Sequence, residues 1–191
     1  MQETKINVRL AGTADIMFDR FIDHSTEPRP AEQKFYLAEG NQVVLPGNNV
    51  LQFLFAEEKP YGCARRFEGK EGSKYAQTGQ AFCFINNSMI NFLDDKGPVI
   101  FRGFEGSKQF RIHLEAAVTK MSNGKVIKQE ARPRPVLMLP WSLKFEISLI
   151  KNDKIDPDKL FNWFAAGGMM IGLGTHRPQF GRFVIDEWEE I

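Results

Sequence analysis

Gly167-Gly168-Met169-Met170-Ile171-Gly172-Leu173-Gly174-Thr175-His176-Arg177-Pro178-Gln179-Phe180-Gly181-Arg182-Phe183 carries five glycines within the 15 residues from Gly167 to Gly181. Glycine at this density removes Cβ atoms where another backbone or a ligand approaches, and it gives access to backbone conformations with positive φ. Backbone N–H groups exposed in such a loop can cradle phosphates, and Arg177 and Arg182 can add charge-assisted contacts. Upstream, Asp156-Pro157-Asp158 opens a helix, with Asp156 as N-cap, Pro157 at the first helical position, and Leu160, Phe161 and Phe164 on the apolar face. Gly167-Gly168 ends that helix or lets it pack closely on a neighbour, and Met169-Met170 is expected to fill gaps beneath the loop. Downstream, Arg182-Phe183-Val184-Ile185 reads as a last strand before an acidic tail, Asp186 to Glu190.

Working outward, Thr4 to Ala11 alternates Ile6, Val8 and Leu10 with Lys5, Asn7 and Arg9, which predicts a half-buried strand. Ser142 to Ile150 alternates in the same way through Leu143, Phe145, Ile147 and Leu149. Asp15 to Gly40 has weak periodicity and contains a polar, proline-punctuated loop at 23–30. Gln42 to Leu45 leads into a tight Pro46-Gly47 turn, after which Asn48 is expected to cap a helix bearing Val50, Leu51, Leu54 and Phe55. Lys59 to Gly79 shows no clear period and reads as a long loop or insertion, the kind of segment that often binds a ligand. Ala81 to Leu93 reads as an apolar strand followed by a short helix. Around Ser122-Asn123-Gly124 the alternating residues Phe110, Ile112, Leu114 and Val126 predict a β-hairpin arm over about 108–135, because Asn-Gly suits a type I′ turn. Arg132-Pro133-Arg134-Pro135 is expected to be an extended connector. The resulting order of strand, helix, central hairpin region, helix and strand matches an α+β, ferredoxin-like β-α-β-β-α-β plan with insertions, in one domain over 1–191.

Composition narrows the function classes. The chain has 191 residues, 25 Lys and Arg against 24 Asp and Glu, and a formal net charge of +1, so any nucleic-acid site must be local. Two stretches qualify: Lys59 to Gln77 holds five basic and two acidic residues, and Arg102 to Pro135 eight and three. Tyr61, Phe67, Tyr75, Phe104 and Phe110 lie in these stretches and could stack on bases. Phe is used 17 times against 3 Tyr, first of all as core. Two cysteines, Cys63 and Cys83, are too few for a structural zinc site or a disulfide framework and are expected to be small packing residues. No GxGxxG, P-loop or HExxH motif is present. No apolar run reaches the roughly 20 residues of a membrane span, and the N-terminus shows no hydrophobic leader, so the expected location is cytoplasmic, away from membranes.

Leu45-Pro46-Gly47-Asn48-Asn49 together with the segment from Gly172 to Phe183 resembles the RAMP superfamily of CRISPR-associated proteins, most closely the backbone subunits that bind a guide RNA. Those proteins combine a ferredoxin-like, RNA-recognition-motif-like fold, a Pro-Gly turn into the first helix, and a C-terminal Gly…Gly…Arg…Gly-Arg loop. At 191 residues the chain suits a reduced relative, of phage or mobile-element origin. The resemblance implies that Gly172, Gly174 and Gly181 permit close approach, that His176, Arg177 and Arg182 meet phosphate, and that Asn48 and Asn49 lie at the RNA side of the first helix. Arg65, Arg66, Lys70 and Lys74 would clamp the strand. The implied partners are single-stranded RNA, or single-stranded DNA, and further copies of the chain or related subunits. A second reading is an endoribonuclease on the same fold. One branch of the superfamily cuts RNA with an early-loop aspartate and a divalent ion, which directs attention to Asp19 and Asp23 with Mg²⁺. Another branch uses a histidine, for which His24 is the candidate. Otherwise no cofactor or metal is expected. A third reading is a protein-interaction module whose acidic tail meets a basic partner.

Overall fold

The computed structural model describes residues 2–20, 29–115, 120–122, 125–127 and 132–191. Along the chain run β1 (Glu3–Gly12), β2 (Ile16–Met17), β3 (Val44–Pro46), α1 (Gly47–Phe55), α2 (Cys63–Phe67), α3 (Gly72–Phe82), β4 (Cys83–Ile85), β5 (Met89–Asp94) and β6 (Gly97–Pro98). They are followed by β7 (Phe110–Glu115), β8 (Lys120–Ser122), β9 (Lys125–Ile127), β10 (Arg132–Leu137), β11 (Ser142–Ile150), α4 (Pro157–Met170) and β12 (Phe183–Glu190). The main sheet has the order β12-β1-β11-β5-β3, with β4 also on β11 and β6 on β5. Counting β4 and β5 as the second core strand, this is the antiparallel 4-1-3-2 order of a ferredoxin-like α+β fold. Ile6, Val8 and Leu10 of β1 and Leu143, Phe145 and Ile147 of β11 point into one core beneath the helices. The alternation of Lys5, Asn7 and Arg9 with these residues puts the charges on the other, open face.

The phenylalanines build that core. Phe35 meets Phe18, Phe101 and Phe110 at centroid distances of 5.1, 4.8 and 5.6 Å, and Phe53 meets Phe164 and Phe183 at 5.6 and 5.4 Å. Cys63 and Cys83 are free and buried, and burial pushes both thiols up, Cys83 to about 12. Asp156 caps α4 by accepting from the Lys159 backbone N–H at 2.8 Å, and Pro157 stands at its first position. Replacing Asp156 with alanine is expected to cost about 1 kcal/mol, the ordinary worth of an N-cap, read as a lower urea midpoint with an unchanged slope.

Several expectations are corrected. Lys59 to Gly79 is helical from Cys63 onward, not a loop: α2 and α3 follow α1 and pack on it, and α2 packs on α4 as well. Their buried positions are Cys63, Ala64, Gly72, Ala76 and Gly79, small residues that allow close helix approach but leave no apolar period in the sequence. Asn48 does not cap α1. The helix begins at Gly47 with Pro46 as N-cap and no side-chain cap, because the chain enters directly from β3, which is paired with β5. Ala81 to Leu93 gives two strands, β4 and β5, in place of a strand and a helix. Arg132-Pro133-Arg134-Pro135 is a paired strand, β10, in a second sheet of order β2-β10-β7. α4 runs through Gly167-Gly168 to Met170, and a Cβ on Gly168 would lie 2.5 Å from the Phe183 carbonyl oxygen, so this glycine serves close helix–strand packing. Met169 and Met170 are 48% and 58% exposed, not buried beneath the loop. The acidic tail is strand β12, and Arg9 pairs with Asp186 and Glu187 at 3.4 Å each. In the arm, β8 pairs with β9 so that Ser122 faces Lys125, the register that brackets Asn123-Gly124; those two residues lie outside the described residues. Among the described residues no helix is long and apolar enough to cross a membrane.

Candidate nucleic-acid interface

The glycine segment after α4 folds back across the start of the chain. The Gly181 N–H donates to the Asp15 carbonyl at 2.8 Å, the Thr175 N–H to the Met17 carbonyl at 2.9 Å, and the Thr13 N–H to the Arg182 carbonyl at 2.8 Å. Gly172, Gly174 and Gly181 have φ of +75°, +77° and +75°, and the nearest neighbour a Cβ would meet at each is the chain's own backbone, with the Ile16 side chain next at Gly174. Their close approach is therefore internal: two limbs of one loop against each other and against Met17. His176 also has positive φ, 55°, at the apex of the loop.

That loop lies on one face of the small sheet. The β7–β10 register opposes His113 to Arg134 and Arg111 to Val136, so the two-residue period of both strands puts Arg111, His113, Arg132, Arg134 and Val136 on a common face. Phe180 is set down among them: its ring lies 5.5 Å from His113, 5.8 Å from the Arg111 guanidinium, and in a buried cluster with Met17 and Val136. Arg134 bridges the sheet to the loop, donating through Nε to Asp19 at 2.9 Å and standing 3.0 Å from His176 Nε2 through Nη1. A guanidinium only donates. His176 Nε2 is thus the acceptor, and the ring is neutral with its proton on Nδ1. Lys34, buried, stands 3.7 Å from Asp19 and donates to the Pro133 carbonyl at 2.7 Å; desolvation lowers its pKa. Arg111 pairs with Asp15 at 3.2 Å while its side chain stays 41% exposed.

Burial first, then Arg134, holds His176 below the usual imidazole range, and His113 is lowered by burial and Arg111. A base with a lowered folded-state pKa leaves the unfolded chain binding more protons, so stability falls as pH drops through about 6.5 toward the depressed values. The expected result is a lower urea midpoint at pH 5.5 than at pH 7.5, with a smaller difference in His176→Gln.

The other proposed contacts fall elsewhere. Arg177 is half-buried, lowered in pKa chiefly by burial, and turned toward the Gly172 carbonyl at 3.5 Å, while Arg66 donates to the Met170 carbonyl at 3.2 Å. Arg66 thus complements the carbonyl end of α4, and Arg177 the loop just beyond it. Arg182 is exposed. Arg65 donates to Ser73 and lies over Tyr61, Lys74 pairs with Glu71, and Lys70 is exposed, all in the helical layer. Asn48 and Asn49 stand at the first turn of α1, where the Gly47 N–H donates to the Ser88 carbonyl, away from the small sheet in sequence and element. Asp19 is engaged by Arg134 and Lys34, while Asp23 and His24 lie outside the described residues. The rings expected to stack on bases are largely enclosed: Phe110 is buried, Phe104 lies against Phe101 at 5.0 Å, and Tyr75 meets Trp163 at 6.0 Å. The open faces of the central strands β1 and β11 offer Lys5, Asn7, Arg9, Lys144 and Glu146, with ion pairs Lys5–Glu146 and Lys144–Glu187; Ser148 is buried there, and the exposed Phe84 of β4 stands opposite it.

No family model and no curated protein matches the chain. Among solved structures it is similar to a chain in a type III-B CRISPR Cmr-β complex bound to cognate target RNA, with a TM-score of 0.58 and 14% identity. The fold is similar to that of a CRISPR-complex chain. The match covers 100% of this chain and 61% of that one, so this chain spans about three-fifths of its length.

Proposed function

We propose that this chain is a single-stranded RNA-binding subunit of a CRISPR-like ribonucleoprotein assembly, holding the strand on the β7–β10 face beside the glycine loop. The observation that carries this reading is the gathering of Arg111, His113, Arg132 and Arg134 on one face of the β7–β10 pair, with the loop laid on it through Phe180 against Arg111 and His113 and through His176 against Arg134. Cations along one sheet face fit the phosphates of a single strand, the buried Phe180 ring seats the glycine loop beside them, and the RNA-bound complex that contains the similar chain adds support. In this reading Arg111 and Arg132, the more exposed pair, meet phosphates. Arg134 orders the site by joining Asp19 of the early loop to His176. The glycines shape the loop, and Arg182 extends the contact at its outer end. Arg177, Arg66, Lys70 and Lys74 act as a secondary basic margin along the helical layer, and self-association follows the strand. Asp19 serves as a structural counter-ion, since a divalent ion on its carboxylate would displace Arg134 and sit close to two fixed cations.

The test is the state of the purified protein. An absorbance ratio typical of nucleic acid, with a large light-scattering mass that collapses on ribonuclease treatment in high salt, is the expected outcome. A clean protein spectrum at constant mass, with no binding to added oligoribonucleotide at about 50 mM salt, would remove the proposal.

A further inference from the structure

A cavity lies at the β5–β6 turn and the loop that leads into β7, with a volume of about 490 Å³. That size is within the range of small-ligand sites, roughly 300 to 1,000 Å³. Lys96, Arg102 and Lys108 line it, exposed, and no hydrogen bond or ion pair engages their side chains among the described residues. Two carboxylates share the lining. Asp94 is already committed, accepting from Gln109 Nε2 at 3.0 Å and from the Lys96 N–H at 2.7 Å, which leaves Glu105 against three cations. The charge left uncompensated is positive. Ser107 Oγ accepts from the Gln109 and Phe110 N–H groups at 3.1 and 2.9 Å, so its hydroxyl proton remains to be donated. Pro98, Ile100 and Phe110 supply apolar wall.

Three uncommitted cations, a hydroxyl donor and an apolar wall in one cavity of this volume match a phosphate carrying a flat apolar group. From this combination we infer that the cavity is a nucleoside-phosphate site, with phosphate on Lys96, Arg102 and Lys108 and the base along Pro98 and Ile100. Successive strand residues point to opposite faces, so the cavity at Phe110 opens away from the Arg111 face and is separate from the interface proposed above. The ligand is a free mononucleotide or one nucleotide of a strand, and the same chemistry serves both.

Calorimetry on the full chain with 5′-AMP, adenosine and inorganic phosphate tests it. The site requires saturable 5′-AMP binding, at least about tenfold weaker binding of adenosine and of phosphate, and an AMP affinity at least about tenfold lower in Arg102→Ala/Lys108→Ala, whose melting temperature stays unchanged because both residues are exposed. Retention of bound 5′-AMP when a 5′-phosphorylated hexaribonucleotide is added assigns the site to free nucleotides, and displacement assigns it to a strand. Absence of saturable binding by both AMP and the hexamer at this site, or affinities unchanged in the double variant, overturns the inference. Arg111→Ala/Arg132→Ala is expected to keep AMP binding, so failure of the strand-binding reading and failure of this one are separable.

Discussion

Gly181→Ala is expected to lower the stability of the folded chain by about 3 kcal/mol or more, through two costs that add. The backbone at Gly181 has φ +75°, a region that costs an L-residue roughly 1 to 2 kcal/mol. The added Cβ would also overlap the Leu173 carbonyl oxygen, a backbone atom on the facing limb of the loop. A backbone neighbour cannot rotate aside as a side chain does, and the Leu173 N–H already donates to the Gly181 carbonyl at 2.9 Å. The limbs must separate, which disturbs the Gly181–Asp15 bond and the seat of Phe180. For a domain of this size the loss corresponds to a fall in melting temperature of about 6 to 12 °C, measured by circular dichroism. Gly106→Ala is the control: its φ is also positive, +66°, but a Cβ there meets nothing within 4 Å, so only the conformational part of the cost is expected.

Arg111→Ala/Arg132→Ala is expected to weaken binding of a labelled oligoribonucleotide by about ten- to a hundredfold at about 0.1 M salt, while leaving the fold intact. Both side chains are exposed enough to reach a strand, and among the described residues Arg111 gives up one ion pair, to Asp15, and its place over the Phe180 ring. Each phosphate contact on a single strand contributes about 0.7 to the slope of log affinity against log salt, so the double variant loses about 1.4 from that slope. Arg134 makes a poorer probe of contact. It is 14% exposed and holds Asp19, so its removal strands a partly buried carboxylate and mixes destabilisation with lost affinity.

Much of the frame was legible because its causes are local. The alternation in Thr4 to Ala11 and Ser142 to Ile150, and the Asp156-Pro157 start of α4, each act within a few residues and appear where the sequence puts them. α2 and α3 escaped because their burial uses Ala64, Ala76 and glycines, which fit between helices without an apolar stripe. The glycine loop was visible as a loop, but its glycines turned out to face the chain's own backbone. The cluster around Phe180 depends on the pairing of β7 with β10 and on the loop crossing them, neither of which is local. One signal pointed to it. Arg111 and His113, and again Arg132 and Arg134, repeat at a spacing of two, the period that aligns side chains on one face of a strand.

The location of the strand is the central claim, and photo-cross-linking with 4-thiouridine-substituted RNA, followed by peptide mapping, tests it most directly. Adducts at 110–115, 132–137 and 173–182, lost on competition with unlabelled RNA, are the predicted result. Adducts confined to the open face of β1 and β11 or to α2 and α3, with none on the small sheet, would contradict it.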